Sequence, residues 1–295
     1  MDIDPQAALT VAATVEEGTL EAAAHRLSIT PSAVSLRIKA LEQTVGQRLV
    51  VRSKPVRATP AGLEVVRFAR RFAVMHHETA ERLGLTDASH RAPVAIAVNA
   101  DSLATWLMTP LHRFAASHDV DLELLRDDQD LTVRHLEDGE VSAAVTTRAD
   151  PVAGCRSIAL GRMRFEPVAA PPWAARWAET LETAPRVDYD RRDGLQEQWL
   201  RRRGIDPRSG RRHLVPSVHA LAEAIELGLG WGLVEAGRAE AGVRSGRLAR
   251  LGQDPVVTDL YWQRWKGPSS LLDALSDELV SAARTALEHE DRRPS

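Results

Sequence analysis

The sequence predicts an α/β protein in which a small, mostly helical N-terminal domain, a long helix and a two-lobed α/β region follow one another. Apolar residues recur at helical spacing, with capping residues, through roughly the first quarter of the chain. From Pro93 onward, short apolar strands alternate with helices, a pattern that is typical of α/β domains. The length of 295 residues suits about two domains.

The N-terminal region contains two short predicted helices separated by a tight turn. The first runs from Thr19, its N-cap, to Leu27, and carries a face of small alanines. Ser28-Ile29 forms the turn. The second begins at Thr30-Pro31, because a threonine hydroxyl accepts from free first-turn amides and proline needs no partner at the first helical position. Gly46 ends this helix, so the pair has the layout of a helix-turn-helix.

The second helix has an apolar face that turns inward and a polar face that can meet a partner. The apolar face consists of Val34, Ile38, Leu41 and Val45. Residues 49–58 (LVVRSKPVRA) predict a β-hairpin wing beside the helix, and short polar and basic side chains there can reach base edges or phosphates. The candidate DNA-binding residues are Thr30, Pro31, Ser32, Ser35, Leu36, Lys39, Arg52, Lys54 and Arg57.

Local charge separates DNA binding from the alternative, a pair of ordinary amphipathic helices with a solvated face. Residues 22–71 contain ten basic side chains and two acidic ones, a balance of +8, whereas the whole chain carries −3. A basic concentration on an acidic protein is the electrostatic footprint of nucleic-acid binding. We therefore favour double-stranded DNA as a partner, with the second helix in the major groove.

The same region resembles the N-terminal winged helix of LysR-type transcriptional regulators. The residues that carry the resemblance are Ala23-Ala24, Leu27, Ser35, Ile38, Leu41-Glu42, Gly46 and the stretch from Leu49 to Arg52. The chain differs from the family pattern at Pro31, Leu36 and Val50, where glutamine, a polar or basic residue and phenylalanine are common. The resemblance implies a regulator that binds promoter DNA, with RNA polymerase as a further candidate partner.

A long third helix is predicted from Thr59-Pro60 to about Leu83. It carries one stripe of large apolar residues, which includes Phe68 and Phe72, and a second stripe of mostly small ones. A helix with two apolar faces packs on two partners, so it is either an internal core helix or one that pairs with a second copy. We favour pairing, since one helix-turn-helix reads only a half-site. The family resemblance implies a homodimer or a dimer of dimers, a homotetramer.

Beyond this helix the chain predicts one domain with two lobes. Residues 94–98, 120–124 and 141–145 read as strands, and residues 103–116 and 132–138 as helices. This βαβ rhythm predicts a mainly parallel sheet covered by helices. The two lobes resemble the effector domain of LysR-type regulators and periplasmic solute-binding proteins. The expected domains are a DNA-binding domain (1–58), a linker helix with a hinge (59–91) and an effector-binding domain (92–295), with lobe I at about 92–163 and 266–295 and lobe II at about 164–265.

Polar residues follow several of these strands, at the edge where open α/β sheets bind ligands. Amides at the start of a helix attract a carboxylate, and aspartates after the second strand can hold an ammonium or guanidinium group. The candidate effector-binding residues are Asn99, Asp101, Ser102, Asp127, Asp128, Thr146, Thr147, Ser217 and Val218. They suggest a zwitterion with an additional positive charge. The alternative is that Asp127, Asp128 and Asp130 only cap the next helix and face solvent.

Three segments narrow the resemblance to the branch of the family that includes ArgP and LysG. They are VNADSLATW at residues 98–106, RDDQD at 126–130 and YWQRW at 261–265. The resemblance implies lysine or arginine as the effector and activation of an amino-acid exporter gene, and the acidic cluster agrees with it independently. An effector-independent architectural or replication-origin DNA-binding protein is the alternative function.

Signals for other protein classes are absent from the sequence. Because it contains no nucleophile elbow, metal-ligand spacing or cofactor loop, we expect no enzyme, no metal and no cofactor other than a small-molecule effector. Asp188 and Asp190 lie in a polar stretch without an evident partner. Cys155 is the single cysteine and excludes an internal disulfide. Without a signal peptide or a membrane-spanning stretch, we expect a soluble, cytoplasmic protein.

Overall fold

The structure is a computed structural model that describes residues 2–85, 91–126 and 129–288. Its N-terminal domain consists of α1 (Pro5–Glu17), α2 (Leu20–Arg26), α3 (Pro31–Val45), β1 (Val50–Val51) and β2 (Arg57–Ala58). The helix-turn-helix prediction is confirmed by the caps, since the hydroxyls of Thr19 and Thr30 accept from the N–H groups of residues 22 and 33. Gly46 ends α3 at a φ of 74°, a left-handed conformation that suits glycine.

The helices of this domain pack around small and branched side chains. Ala8, Val11, Val34 and Leu49 are fully buried and share one apolar cluster. At Gly62, a Cβ atom would lie 1.9 Å from the carbonyl oxygen of Leu49. Only glycine therefore lets the following helix approach the hairpin so closely.

That following helix is α4 (Pro60–Arg82), which Thr59 caps as predicted. Its first half joins the core of the N-terminal domain through Val66 and Ala69. Val74, further along, lies instead in the main core of the α/β region. The first part of the small-residue stripe, Val66 and Ala69, is therefore an internal packing surface.

The large-residue stripe of α4 is only partly covered. Met75 is 56% exposed and Phe68 is 36% exposed. The rings of Phe68 and Phe72 stack with centroids 6.4 Å apart. This side of the helix offers an apolar surface beyond the contacts within one chain. Within the described residues, no helix is both long and apolar enough to cross a membrane.

The rest of the described chain forms the two-lobed α/β region. Its strands are β3 (Ala92–Val98), β4 (Val120–Arg126), β5 (Ala143–Thr146), β6 (Cys155–Ala169), β7 (Arg186–Asp188), β8 (Arg212–Leu214), β9 (Gly232–Glu235), β10 (Ala249–Arg250) and β11 (Val256–Trp265). Its helices are α5 (Ala100–Thr105), α6 (Met108–Ser117), α7 (Gln129–Glu137), α8 (Pro171–Glu179), α9 (Leu195–Arg202), α10 (Val218–Glu226), α11 (Ala236–Arg244) and α12 (Ser270–Ala286). One sheet has the order β10-β6-β11-β5-β3-β4, with β9 also paired to β6.

This sheet is mixed, so the prediction of parallel pairing holds for β3, β4 and β5 but not for the sheet as a whole. Among the described strands of the sheet, β3 pairs in parallel with β4 and β5, and the remaining pairings are antiparallel. The physical reason is that β6 and β11 are long strands that pair with each other and serve both lobes. β11 continues onto β5 of lobe I, whereas β6 continues onto β9 and β10 of lobe II. The predicted lobe boundary near residue 164 therefore falls inside β6.

The helix predicted over residues 103–116 is in fact two helices, α5 and α6. Pro110 lies in the first turn of α6 and has no N–H to donate to the carbonyl of Trp106. One continuous helix through this point would lose that hydrogen bond and clash with the proline ring. As a result Asn99 and Asp101 lie at the start of a short helix of their own.

Candidate functional site

The candidate DNA-binding residues lie on α3 and on the adjoining hairpin. The hydroxyl of Thr30 caps α3 and lies 2.9 Å from that of Ser32. Arg52 of the hairpin donates to the hydroxyl of Ser35 over 3.4 Å, so the two elements contact each other on this side. Leu36 is 69% exposed. The other candidates are exposed as well: Pro31, Lys39, Lys54 and Arg57.

Two residues outside the predicted set also shape this surface. Arg48 shares a shallow depression with Lys39 and Arg52, which adds a third basic side chain. The carboxylate of Glu42 accepts from the N–H of Leu49 at 2.9 Å. Glu42 therefore fixes the start of the hairpin against α3, and the wing and the helix form one unit.

Part of the positive charge of residues 22–71 is neutralised by ion pairs within the protein. Arg26 and Arg70 both pair with Glu16 of α1, at 2.7 Å in each case. Glu16 lies outside the segment whose charge balance is +8, so the count overstated the charge that can face DNA. The basic side chains that remain on the DNA-facing side are those of α3 and the hairpin.

A cavity of about 390 Å³ lies between the two lobes. Lobe I contributes the start of α5, and lobe II contributes residues 189–195, one side of α10 and the junction of β9 with α11. Phe165 and Thr258 of the two long strands complete the wall. A volume of this order is typical of sites for small molecules.

Charged side chains line much of this cavity: Asp101, Asp190, Asp193, Glu235, Arg192 and Arg238. Among the described residues, four carboxylates against two guanidinium groups make the site attractive to a cation. Burial, together with the negative charges of Asp193 and Glu235, raises the pKa of Asp101 to about 7, against the opposing charge of Arg238. Burial also raises the pKa of Asp193.

Three of the four carboxylates hold the backbone of their own segments. Asp190 accepts from the N–H groups of residues 192 and 193 at 2.7 and 3.0 Å. Asp193 accepts from those of residues 189 and 195 at 3.0 and 3.1 Å. Glu235 accepts from those of residues 237 and 238 at 2.8 and 3.1 Å. These bonds shape the lobe II side of the cavity before any ligand arrives.

The structure brings together part of the predicted effector set. The residues of that set that line the cavity are Asn99, Asp101 and Val218. Four described residues of the set are not among its lining: Ser102, Thr146, Thr147 and Ser217. Ser102 is fully buried beside the core, while Thr146 accepts from a neighbouring N–H and Ser217 caps α10. Asp127 and Asp128 lie outside the described residues.

The charged residues of lobe II were missed by sequence reasoning. Asp188 is fully buried and pairs with Arg186 at 3.2 Å and with Arg212, so the interpretation that it lacks a partner was wrong. This ion cluster joins β7 to β8 and supports the loop that carries Asp190 and Asp193. Asp190 and Asp193 follow the short strand β7. That position was the sequence signal that could have identified them, as it identified the residues of lobe I.

Comparison with known proteins agrees with this architecture. Residues 6–63 match the family described as "Bacterial regulatory helix-turn-helix protein, lysR family", and residues 87–284 match the "LysR substrate binding domain" family. The chain is 42% identical over 279 residues to the lysine export transcriptional regulatory protein LysG of Corynebacterium efficiens. That alignment covers 92% of this chain and 95% of the relative.

Two solved structures are similar over nearly the whole length. The crystal structure of ArgP from Mycobacterium tuberculosis has a TM-score of 0.86 and 38% identity, and the match covers 98% of this chain and 100% of that one. Full-length LysG from Corynebacterium glutamicum with bound effector arginine has a TM-score of 0.77 and 36% identity, with coverage of 97% and 99%.

Proposed function

The chain belongs to the LysR family of bacterial transcriptional regulators, and we propose that it binds promoter DNA under the control of a basic amino acid, lysine or arginine. The observation that carries the effector part is the cavity between the lobes, lined by four carboxylates and two guanidinium groups. In this scheme residues 1–58 bind DNA, residues 59–91 link and dimerise, and residues 92–295 bind the effector.

The charge pattern of the cavity supports a basic amino acid over a neutral one. A zwitterion brings one carboxylate and one ammonium group, and a basic side chain adds a second cation. With its described carboxylates ionised, the cavity has an excess of two negative charges. A second cation on the ligand offsets this excess and a neutral side chain does not, so the site favours a basic amino acid. The arginine bound in the structure of the Corynebacterium glutamicum relative is consistent with this chemistry.

The proposed binding to promoter DNA follows from the surface of α3 and the hairpin. One such unit contacts a half-site, so two chains related by a two-fold axis read a complete operator. The partly exposed stripe of α4, with Phe68 and Met75, supports pairing of two chains into a homodimer, and two dimers then form a tetramer. The Corynebacterium efficiens relative is named for lysine export, so we propose an amino-acid exporter gene as the target, activated through RNA polymerase.

Control needs only differential affinity. An effector that binds one arrangement of the two lobes more tightly than another shifts the population toward that arrangement. Coupling of this kind typically amounts to about 1–3 kcal/mol between two sites. The change in the lobes alters the geometry of the paired chains, and this changes how their two DNA-binding surfaces meet the operator.

Calorimetric titration of the full-length protein with lysine, arginine and citrulline tests the effector. Citrulline is the matched control, because it has nearly the shape of arginine without the side-chain charge. We expect lysine or arginine to bind at least roughly tenfold more tightly than citrulline, about 1.4 kcal/mol. Equal affinities, or no binding of any of the three, would overturn the proposal.

Footprinting of the protein on genomic DNA upstream of genes tests the proposed binding to promoter DNA. We expect protection of a two-fold symmetric site, with a pattern that changes when the effector is added. Binding that is broad in sequence and insensitive to amino acids would favour an architectural DNA-binding protein instead.

A further inference from the structure

The carboxylates of the cavity are not equivalent. Asp190, Asp193 and Glu235 each accept two backbone hydrogen bonds within their own segments. They contribute negative potential, but their oxygens already have donors. Asp101 differs, since the backbone N–H at its carboxylate is that of its own residue, and no other described residue donates a hydrogen bond to this carboxylate. It also stands on α5 of lobe I, across the cavity from the other three.

We propose that Asp101 binds the side-chain cation of the effector and that the cation replaces a proton held by this carboxyl group. The inference rests on the proposed function and specifies how the site recognises its ligand. The exchange is balanced: a neutral carboxyl group and a cationic effector become a carboxylate paired with that effector, and one proton leaves to the solvent.

The surroundings of Asp101 support this exchange. The loop of lobe II turns Asp193 and the phenol of Tyr189 toward it, and the junction of β9 with α11 contributes Glu235 and Arg238. Helix α10 presents the apolar Val218 and Leu221 to the cavity, and α5 itself carries no second charged residue. Among the described residues, Asp101 thus faces Asp193, Glu235 and Arg238 in a partly dehydrated wall, where an isolated negative charge is costly.

The direction of the pH dependence follows from these neighbours. Burial and the two carboxylates raise the pKa of Asp101 to about 7 from its ordinary value of 3.8. A cation beside the group favours the ionised form, so binding lowers the pKa and releases the proton. Protons therefore compete with the effector below pH 7, and affinity increases as pH rises through that value. One proton exchanged at a pKa near 7 gives roughly a tenfold gain in affinity between pH 6 and pH 8.

Calorimetry of the full-length protein with arginine, between pH 6 and pH 8 and in two buffers of different ionisation enthalpy, measures both affinity and protons released. For the wild type we expect about one proton released per site near pH 6 and roughly a tenfold gain in affinity by pH 8. Asp101→Asn should bind arginine at least roughly tenfold more weakly at pH 8, with a flat pH profile and no proton release from this position.

Asp190→Asn is the matched control. It removes one cavity charge, but an asparagine oxygen can keep the two backbone hydrogen bonds. We expect a moderate loss of affinity with the pH profile retained, which separates Asp101 from the general negative potential.

The two proposals fail differently. If the wild type binds no basic amino acid at any pH, the proposed function is wrong. If the wild type binds arginine with a flat pH profile and no proton release, or if Asp101→Asn keeps both the affinity and the profile, only the inference about Asp101 is wrong. A flat wild-type pH profile without proton release overturns the inference about Asp101 even if a variant does not fold.

Discussion

At the scale of single residues, exposure separates side chains that hold the fold from those available to a partner. On α3, Val34 and Ile38 are buried, whereas Leu36 is 69% exposed. An exposed leucine is ordinary on most protein surfaces, but α3 is the helix that enters the major groove in this docking mode. Apolar side chains there contact the methyl group of thymine. Leu36 is therefore the apolar candidate for base readout.

Leu36→Ala should reduce discrimination at one thymine by about 1 kcal/mol, because the contact with the methyl group is lost. The measurement is competition binding to an operator selected from random DNA, with each thymine replaced in turn by uracil. The wild type should lose affinity at one replacement and the variant should not. Leu227→Ala, at an 80% exposed leucine of lobe II, is the control. Equal sensitivity of the Leu36 variant and the wild type at every position would count against the contact.

At the scale of elements, α4 has two roles on two faces. Val66 and Ala69 of its small-residue face are buried within the chain, and its large-residue face carries the stacked Phe68 and Phe72 beside the exposed Met75. Partly exposed aromatic rings in a row at helical spacing are costly in water unless something covers them. A second copy of the same helix fits this surface by symmetry.

Phe72→Glu should shift the protein from dimer to monomer, since a like-charged pair would meet at the two-fold axis. Affinity for a two-half-site operator should fall at least roughly a hundredfold, because the second recognition helix is lost. Analytical ultracentrifugation and DNA titration give the two readouts. Glu81→Lys, about half a helical turn round the axis, should leave both unchanged. A dimer that persists in the Phe72→Glu variant, with normal helicity, would refute pairing through this face.

At the scale of the whole molecule, features set by short-range interactions could be predicted from the sequence, whereas features set by contacts between distant segments could not. The caps at Thr19, Thr30 and Thr59 act within one turn, so the helix starts in the first quarter of the chain were readable. Asp101, Asp193 and Glu235 meet only because three distant segments converge, and no local pattern encodes that meeting. The antiparallel pairing of β6 with β11 is of the same kind. Asn99 and Asp101 of lobe I and Val218 of lobe II were therefore visible in the sequence, whereas the charged cavity residues of lobe II were not.

One buried carboxylate connects the linker helix α4 to α12. Glu78 of α4 is buried and accepts from the hydroxyl of Ser269 at 2.6 Å and from the N–H of Leu271 at 2.9 Å, at the start of α12. A negative charge at a helix N-terminus is stabilising. The linker helix is thereby attached to the last helix of the described chain.

Glu78→Ala should lower the free energy of unfolding by roughly 1–3 kcal/mol, because buried donors lose their acceptor. Glu78→Gln keeps an acceptor oxygen and should lose less. Urea unfolding of both variants, with the exposed Glu81→Ala as control, measures the difference. Identical midpoints for all three variants would mean that the contact contributes nothing.

Because α4 belongs to two cores at once, the chain is less modular than its domain order suggests. Val66 and Ala69 pack with the N-terminal domain, Val74 packs with the α/β region, and Arg70 pairs with Glu16 while also donating to the carbonyl of Gly139. Recombination that joins the DNA-reading part of one family member to the sensor of another would break a shared helix if the crossover fell at its start. Viable hybrids should instead inherit α4 together with the surfaces on both sides of it, so that specificity for DNA and for effector tends to be passed on as a pair.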